Sequence, residues 1–110
     1  MNIPKILNNL LINQEIVFLE ADKNYTLFHL NDGEVLTSSY TLKIHEECLD
    51  DLNFLRISRS KIVNSNFVKS IKAIGQRNNV AVLANGDEMP IARRRYKDVI
   101  KQLHLQKRFI

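Results

Sequence analysis

Two dipeptides, Asp32-Gly33 and Asn85-Gly86, constrain this chain more than anything else in it. Each has a backbone suited to the positive φ of a tight hairpin turn. Each also stands between short β-forming runs. Residues 25–30 and 35–37 flank the first, and residues 80–83 and 88–91 flank the second. A chain that reverses twice in this way is antiparallel β. Pro90 cannot donate to a ladder, so the last of these strands belongs at a sheet edge.

The remaining pattern fits the same class. Ile16-Val17-Phe18-Leu19 is a short apolar run typical of a buried strand, followed by a polar stretch at 20–24. Residues 54–57 read as a strand, and residues 70–74 alternate like a half-buried one. Ser38, Ser39 and Thr41 are candidate N-caps for a helix running to about Leu52. Leu42, Cys48, Leu49 and Leu52 would line its inner face, with His45 on its flank and Lys43, Glu46, Glu47 and Asp50 outward. From Ala92 or Arg93 the spacing of Tyr96, Val99, Ile100 and Leu103 gives a second helix. Ile3, Ile6, Leu7, Leu10 and Leu11 fit either a helix or two short strands around Asn8-Asn9. The expected fold is mostly β with two short helices and two tight hairpins.

At 110 residues the chain is expected to be one domain with a core that needs no covalent staple. A single cysteine, Cys48, fits a reducing cytosol, and the chain has no apolar run of transmembrane length. Enzymatic chemistry finds little support. The chain carries no phosphate-binding glycine motif and no metal-ligand spacing. His29, His45 and His104 are scattered, and Glu46-Glu47 with Asp50-Asp51 reads as a solvated helix face. Cys48, on an apolar helix face, reads as an inert core thiol. No metal or cofactor is expected.

The charge is divided unevenly. Residues 1–55 hold 3 Lys/Arg and 9 Asp/Glu, a balance of −6, while residues 56–110 hold 13 and 3, a balance of +10. Such asymmetry points to a polyanionic partner. Two basic segments carry it, 54–64 and 89–96. Arg93, Arg94 and Arg95 sit at a helix mouth, where their charge opposes the macrodipole and an external anion would relieve the cost. The helices lie too far apart for a helix-turn-helix, and few aromatics are available for stacking single-stranded bases. Double-stranded DNA is the favoured partner.

Here the residues resemble a known family, the LytTR DNA-binding domain of bacterial transcription regulators. The matching stretches are residues 16–26, Asp32-Gly33, Thr41-Leu42-Lys43, residues 54–64, Asn85-Gly86 and Pro90-Ile91-Ala92-Arg93-Arg94. They stand in family order over roughly residues 12 to 103. The resemblance implies an elongated stack of small antiparallel sheets whose loops enter successive major grooves. It also implies a direct-repeat operator with a second copy on the adjacent repeat. Such domains are usually fused to a receiver of a two-component system. Only about fifteen residues precede the match, so a stand-alone member or an excised domain is expected. The chain departs from the family pattern at Ser58, Ala92 and Arg95, where His, Ser, and Tyr or Lys are frequent.

By the family pattern, Asn24, Arg59 and Arg94 are the candidate base readers. An amide suits adenine and a guanidinium suits guanine. Lys23, Ser60, Lys61, Arg93 and Arg95 are assigned to phosphates, which supply affinity more than sequence information. Arg56 falls within a strand and could be structural or a DNA contact. Asn64 could cap a turn. Two rival readings use the same basic edge, a basic RNA-binding module and a protein-interaction domain for an acidic partner.

Overall fold

The structure, a computed structural model, describes residues 16–49, 53–76 and 78–107. The alternatives for residues 3–11 and the end of the first expected helix lie outside them. So do Asp50, Asp51, Leu52, Arg77 and Arg108.

In chain order the described elements are β1 (Ile16–Asp22), β2 (Tyr25–Leu30), β3 (Val35–Ser38), α1 (Leu42–Cys48), β4 (Phe54–Arg56), β5 (Lys61–Asn64), β6 (Val68–Ala73), β7 (Asn79–Leu83), β8 (Glu88–Ile91) and α2 (Tyr96–Lys107). Short 3-10 turns at Ser65–Phe67 and Arg93–Arg95 precede β6 and α2. One sheet has five strands in the order β3-β2-β1-β5-β4; the other has three, β6-β7-β8. Every pairing is antiparallel. The fold is mostly β with two short helices, and Pro90 lies on the edge strand β8, as its missing N–H requires.

The larger sheet is buried on both faces, which is why its strands read as runs of apolar residues. Leu19, Phe28, Leu30 and Ile62 meet Leu42 and Leu49 of the α1 region on one face. Leu55 and Val63 meet β6, β7, β8 and α2 on the other. Adjacent residues such as Ile62 and Val63 thus serve opposite cores. A register shift between Ile16 and Phe18 turns both Val17 and Phe18 toward the second core.

Three features differ from the sequence expectation. β1 continues through the polar residues to Asp22, because Glu20 and Ala21 pair with Leu27 and Thr26 across the ladder. That leaves Lys23-Asn24 as a third tight hairpin. α1 closes at Leu49, whose N–H donates to the His45 and Glu46 carbonyls. Its inner face is Leu42, His45 and Leu49, with Cys48 only half-buried. His45 is therefore core, not flank, at 0% exposure. Thr41 is the cap; the Ser38 hydroxyl instead lies 2.8 Å from His45 Nε2. The rings of Phe28 and Tyr40 stand edge-on to this imidazole.

Burial lowers the His45 pKa from 6.5 to about 4. The folded protein thus holds a neutral imidazole where the unfolded chain would already be charged. Its stability contribution is present above pH 6.5 and is lost as pH falls toward 4. Chemical denaturation should show wild type losing up to about 3 kcal/mol more than His45→Gln over that window. Parallel pH profiles for the two proteins would contradict the assignment.

Candidate nucleic-acid interface

The first projecting segment is the β1–β2 turn. Lys23 takes φ +57°, a conformation that lies outside the usual range of a lysine and that the tight reversal imposes. Asp22 and Tyr25 pair across the turn, and Lys23 and Asn24 are exposed beyond them. The signal that could have located this turn is the Asn between two β-forming runs.

The second is the loop at residues 57–60, joining β4 to β5. Its four carbonyls all accept hydrogen bonds. Ile57 O accepts from Ala92 N at 2.8 Å, and Ser60 O from Ala21 N at 2.8 Å. Ser58 O accepts from Arg56 Nε at 2.7 Å, and Arg59 O from Arg56 Nη2 at 2.7 Å. Arg56 Nη1 donates to Glu46 Oε1 of α1 at 2.6 Å. Of the two roles open to Arg56 in the sequence, the structure supports the structural one. It is Arg56, not Arg59, that meets an acidic residue of the helix. The Arg59 side chain is exposed.

The third is the 3-10 turn Arg93–Arg95 at the mouth of α2. Ala92 occupies the cap position without a side-chain bond. Arg93 and Arg94 are exposed, and Arg93 Nη2 reaches Asn78 Oδ1 at 3.5 Å. Arg95 is half-buried in a cleft with Glu46, Arg56, Asp98 and Gln102.

The two backbone bonds from the middle loop decide the arrangement. Ala21 lies just before the Lys23-Asn24 turn, and Ala92 just before the arginine turn. Through Ser60 and Ile57 respectively, the middle loop is stitched to both neighbours. The segments bearing Asn24, Arg59 and Arg94 are thus joined as neighbours. The basic residues differ in how free they are. Lys61 lies 3.9 Å from Glu20 and 5.9 Å from the Phe18 ring centroid. Phe18 stacks on His29, whose Nε2 is 3.0 Å from Glu20. Lys69 is exposed on β6, and Lys72 there lies 3.4 Å from Glu88. Asn64 caps the Ser65–Phe67 turn, accepting from Asn66 N, and also donates to Ile16 O at 2.8 Å. Sequence reasoning missed Glu46 as part of this construction.

Among the described residues no group of three or more His, Cys, Asp or Glu could hold a metal ion. No described helix is long and apolar enough to cross a membrane.

Comparison with known proteins agrees with this fold. A profile of the LytTr DNA-binding domain matches residues 9–104. That family is one of DNA binders, not of enzymes. The solved LytTr DNA-binding domain of a putative methyl-accepting/DNA response regulator from Bacillus cereus superposes with a TM-score of 0.74 at 27% identity, covering 82% of each chain. Sensory transduction protein LytT of Bacillus subtilis is 32% identical over 69 residues, 63% of this chain. The aligned part spans 29% of that relative's length.

Ala92 already has φ −61°, so Ala92→Pro keeps the backbone angle while it removes the N–H and sets a ring carbon against the Ile57 carbonyl. The orphaned Ile57 carbonyl should cost about 1–3 kcal/mol in urea denaturation. An unchanged midpoint would show that this stitch carries no weight.

Proposed function

The chain belongs to the LytTR DNA-binding domain family, and from that premise we propose that it reads double-stranded DNA by sequence as the DNA-binding part of a bacterial transcription regulator. The observation that supports the reading is the pair of backbone bonds, Ala21 N to Ser60 O and Ala92 N to Ile57 O, that joins the segments bearing three exposed polar residues. A duplex offers major-groove edges at intervals along one flank, and tips fixed relative to each other can meet several of them with little ordering cost.

Asn24, Arg59 and Arg94 are the base readers in this reading. All three are exposed. With its carbonyl held inward, Arg59 is free to extend its guanidinium toward guanine O6 and N7. Lys23, Ser60, Lys61, Arg93 and Arg95 bind phosphates and fix the register. Lys61 would have to leave Glu20, and Arg95 its cleft beside Glu46 and Asp98, to do so. The operator is a direct repeat, with a second copy of the domain on the neighbouring repeat. The similarity to a response-regulator domain supports a place in a two-component system, with a receiver elsewhere in the regulator.

Selection of bound duplexes from a random pool, at a stated salt concentration, tests the proposal. Enrichment of a spaced direct repeat is the expected result. Preference for structured RNA, or no nucleic-acid binding at physiological salt, would replace it with one of the rival partners. On the selected duplex, Arg59→Ala should cost about 1–3 kcal/mol and relax one base position. Lys61→Ala should weaken all duplexes alike and lower the salt slope by about one unit. Loss of base preference in Lys61→Ala, with Arg59→Ala unaffected, would reverse the two assignments.

A further inference from the structure

Arg56 stands in one of the two basic segments of the chain, where a DNA-binding surface would ordinarily use every guanidinium on phosphate. Its geometry excludes that use. The side chain is 15% exposed. Nε and Nη2 point at the carbonyls of Ser58 and Arg59, and Nη1 at the Glu46 carboxylate. The planar fork suits this task, since three donors leave it in fixed directions that a lysine ammonium cannot copy.

We propose that Arg56 is a positioning residue for DNA recognition: anchored by Glu46, it holds the backbone of residues 58–59 so that the Arg59 side chain faces the duplex. The proposal rests on the reading of Arg59 as a base contact. Ile57 and Ser60 are tied down by backbone amides from the two flanking segments. Among the described residues, Ser58 and Arg59 have no such backbone neighbour for their carbonyls, and Arg56 supplies the donors. Without it these two oxygens would turn outward. Their partial negative charge would then face the phosphates, and the Arg59 side chain would lose its direction. Glu46 neutralises the half-buried guanidinium and fixes its rotamer. A residue of the acidic first half thus sets the shape of a loop in the basic second half.

The test uses Arg56→Lys in the full chain, which keeps the charge and removes the fork, with Arg56→Met beside it. Two quantities are read. One is amide hydrogen exchange of residues 58–61 in the free protein. The other is the affinity ratio between a pool-selected duplex and a scrambled duplex of the same length. In Arg56→Lys, exchange at 58–61 should accelerate about tenfold while β7 and α2 amides keep their protection. The affinity ratio should fall about tenfold, with binding to the scrambled duplex and the salt slope unchanged. Arg56→Met should show the same loop exchange. Unchanged loop exchange in both variants overturns the proposal. So does uniform loss of protection, which would make Arg56 a support of the whole domain. A salt slope lowered by about one unit in Arg56→Met, with the loop still protected, would make it a phosphate ligand instead. Failure of the proposed function is separate: no duplex would be selected at all, while the exchange measurement would still decide whether Arg56 holds the loop.

Discussion

The structure turns on four adjacent carbonyl oxygens. A loop that projects between two strands cannot satisfy its own peptide groups through a ladder, and buried or inward-facing oxygens left unpaired are costly. Here Ile57, Ser58, Arg59 and Ser60 each find a donor, and the donors come from three different places. Ala21 belongs to the first projecting segment, Ala92 to the third, and Arg56 to the strand beneath. The same bonds that satisfy the loop therefore join the three segments into one surface. Satisfaction of the loop's backbone polarity and the joining of the three segments are a single event in this fold.

The uneven charge gains a structural meaning from this. The acidic first half is not merely a counterweight to the basic second half. Glu20 lies beside Lys61 and His29, and Glu46 beside Arg56. These carboxylates take up the cations that the sheet and loop need for their own shape. Lys23, Arg59, Arg93 and Arg94 are exposed and form the outward positive set, and the neutral Asn24 is exposed as well. The Arg and Lys side chains thus divide into two populations, and only burial and hydrogen bonding separate them.

Much of the fold was legible in the sequence, and for clear reasons. Asp32-Gly33 and Asn85-Gly86 mark their hairpins through glycines at φ +92° and +94°, a backbone that few other residues adopt. The spacing of Tyr96, Val99, Ile100 and Leu103 marks α2, and Pro90 marks an edge. What was not legible depends on tertiary partners. Lys23 at positive φ carries no propensity signal, because the ladder between β1 and β2 imposes it. His45 reads as a polar flank until Ser38 and two aromatic rings surround it. Arg56 and Arg59 are chemically identical in the sequence; only the position of Glu46 and the loop carbonyls tells the clamp from the exposed tip. Apolar spacing that continues past Leu49 in the sequence does not by itself locate the end of α1.

The account's central claim is that the turn at Lys23-Asn24, the loop at 57–60 and the turn at Arg93–Arg95 form one face that meets DNA together. The hairpins at 31–34 and 84–87 give an internal control. The first lies at the other end of β2 from the Lys23-Asn24 turn, and both line a cleft away from that face. Backbone amide shifts should be followed by NMR as a pool-selected duplex is titrated into the protein. The account predicts that amides of all three segments shift with one common saturation curve while those at 31–34 and 84–87 stay still. Shifts centred on the two control hairpins, or confined to one of the three segments, would contradict it.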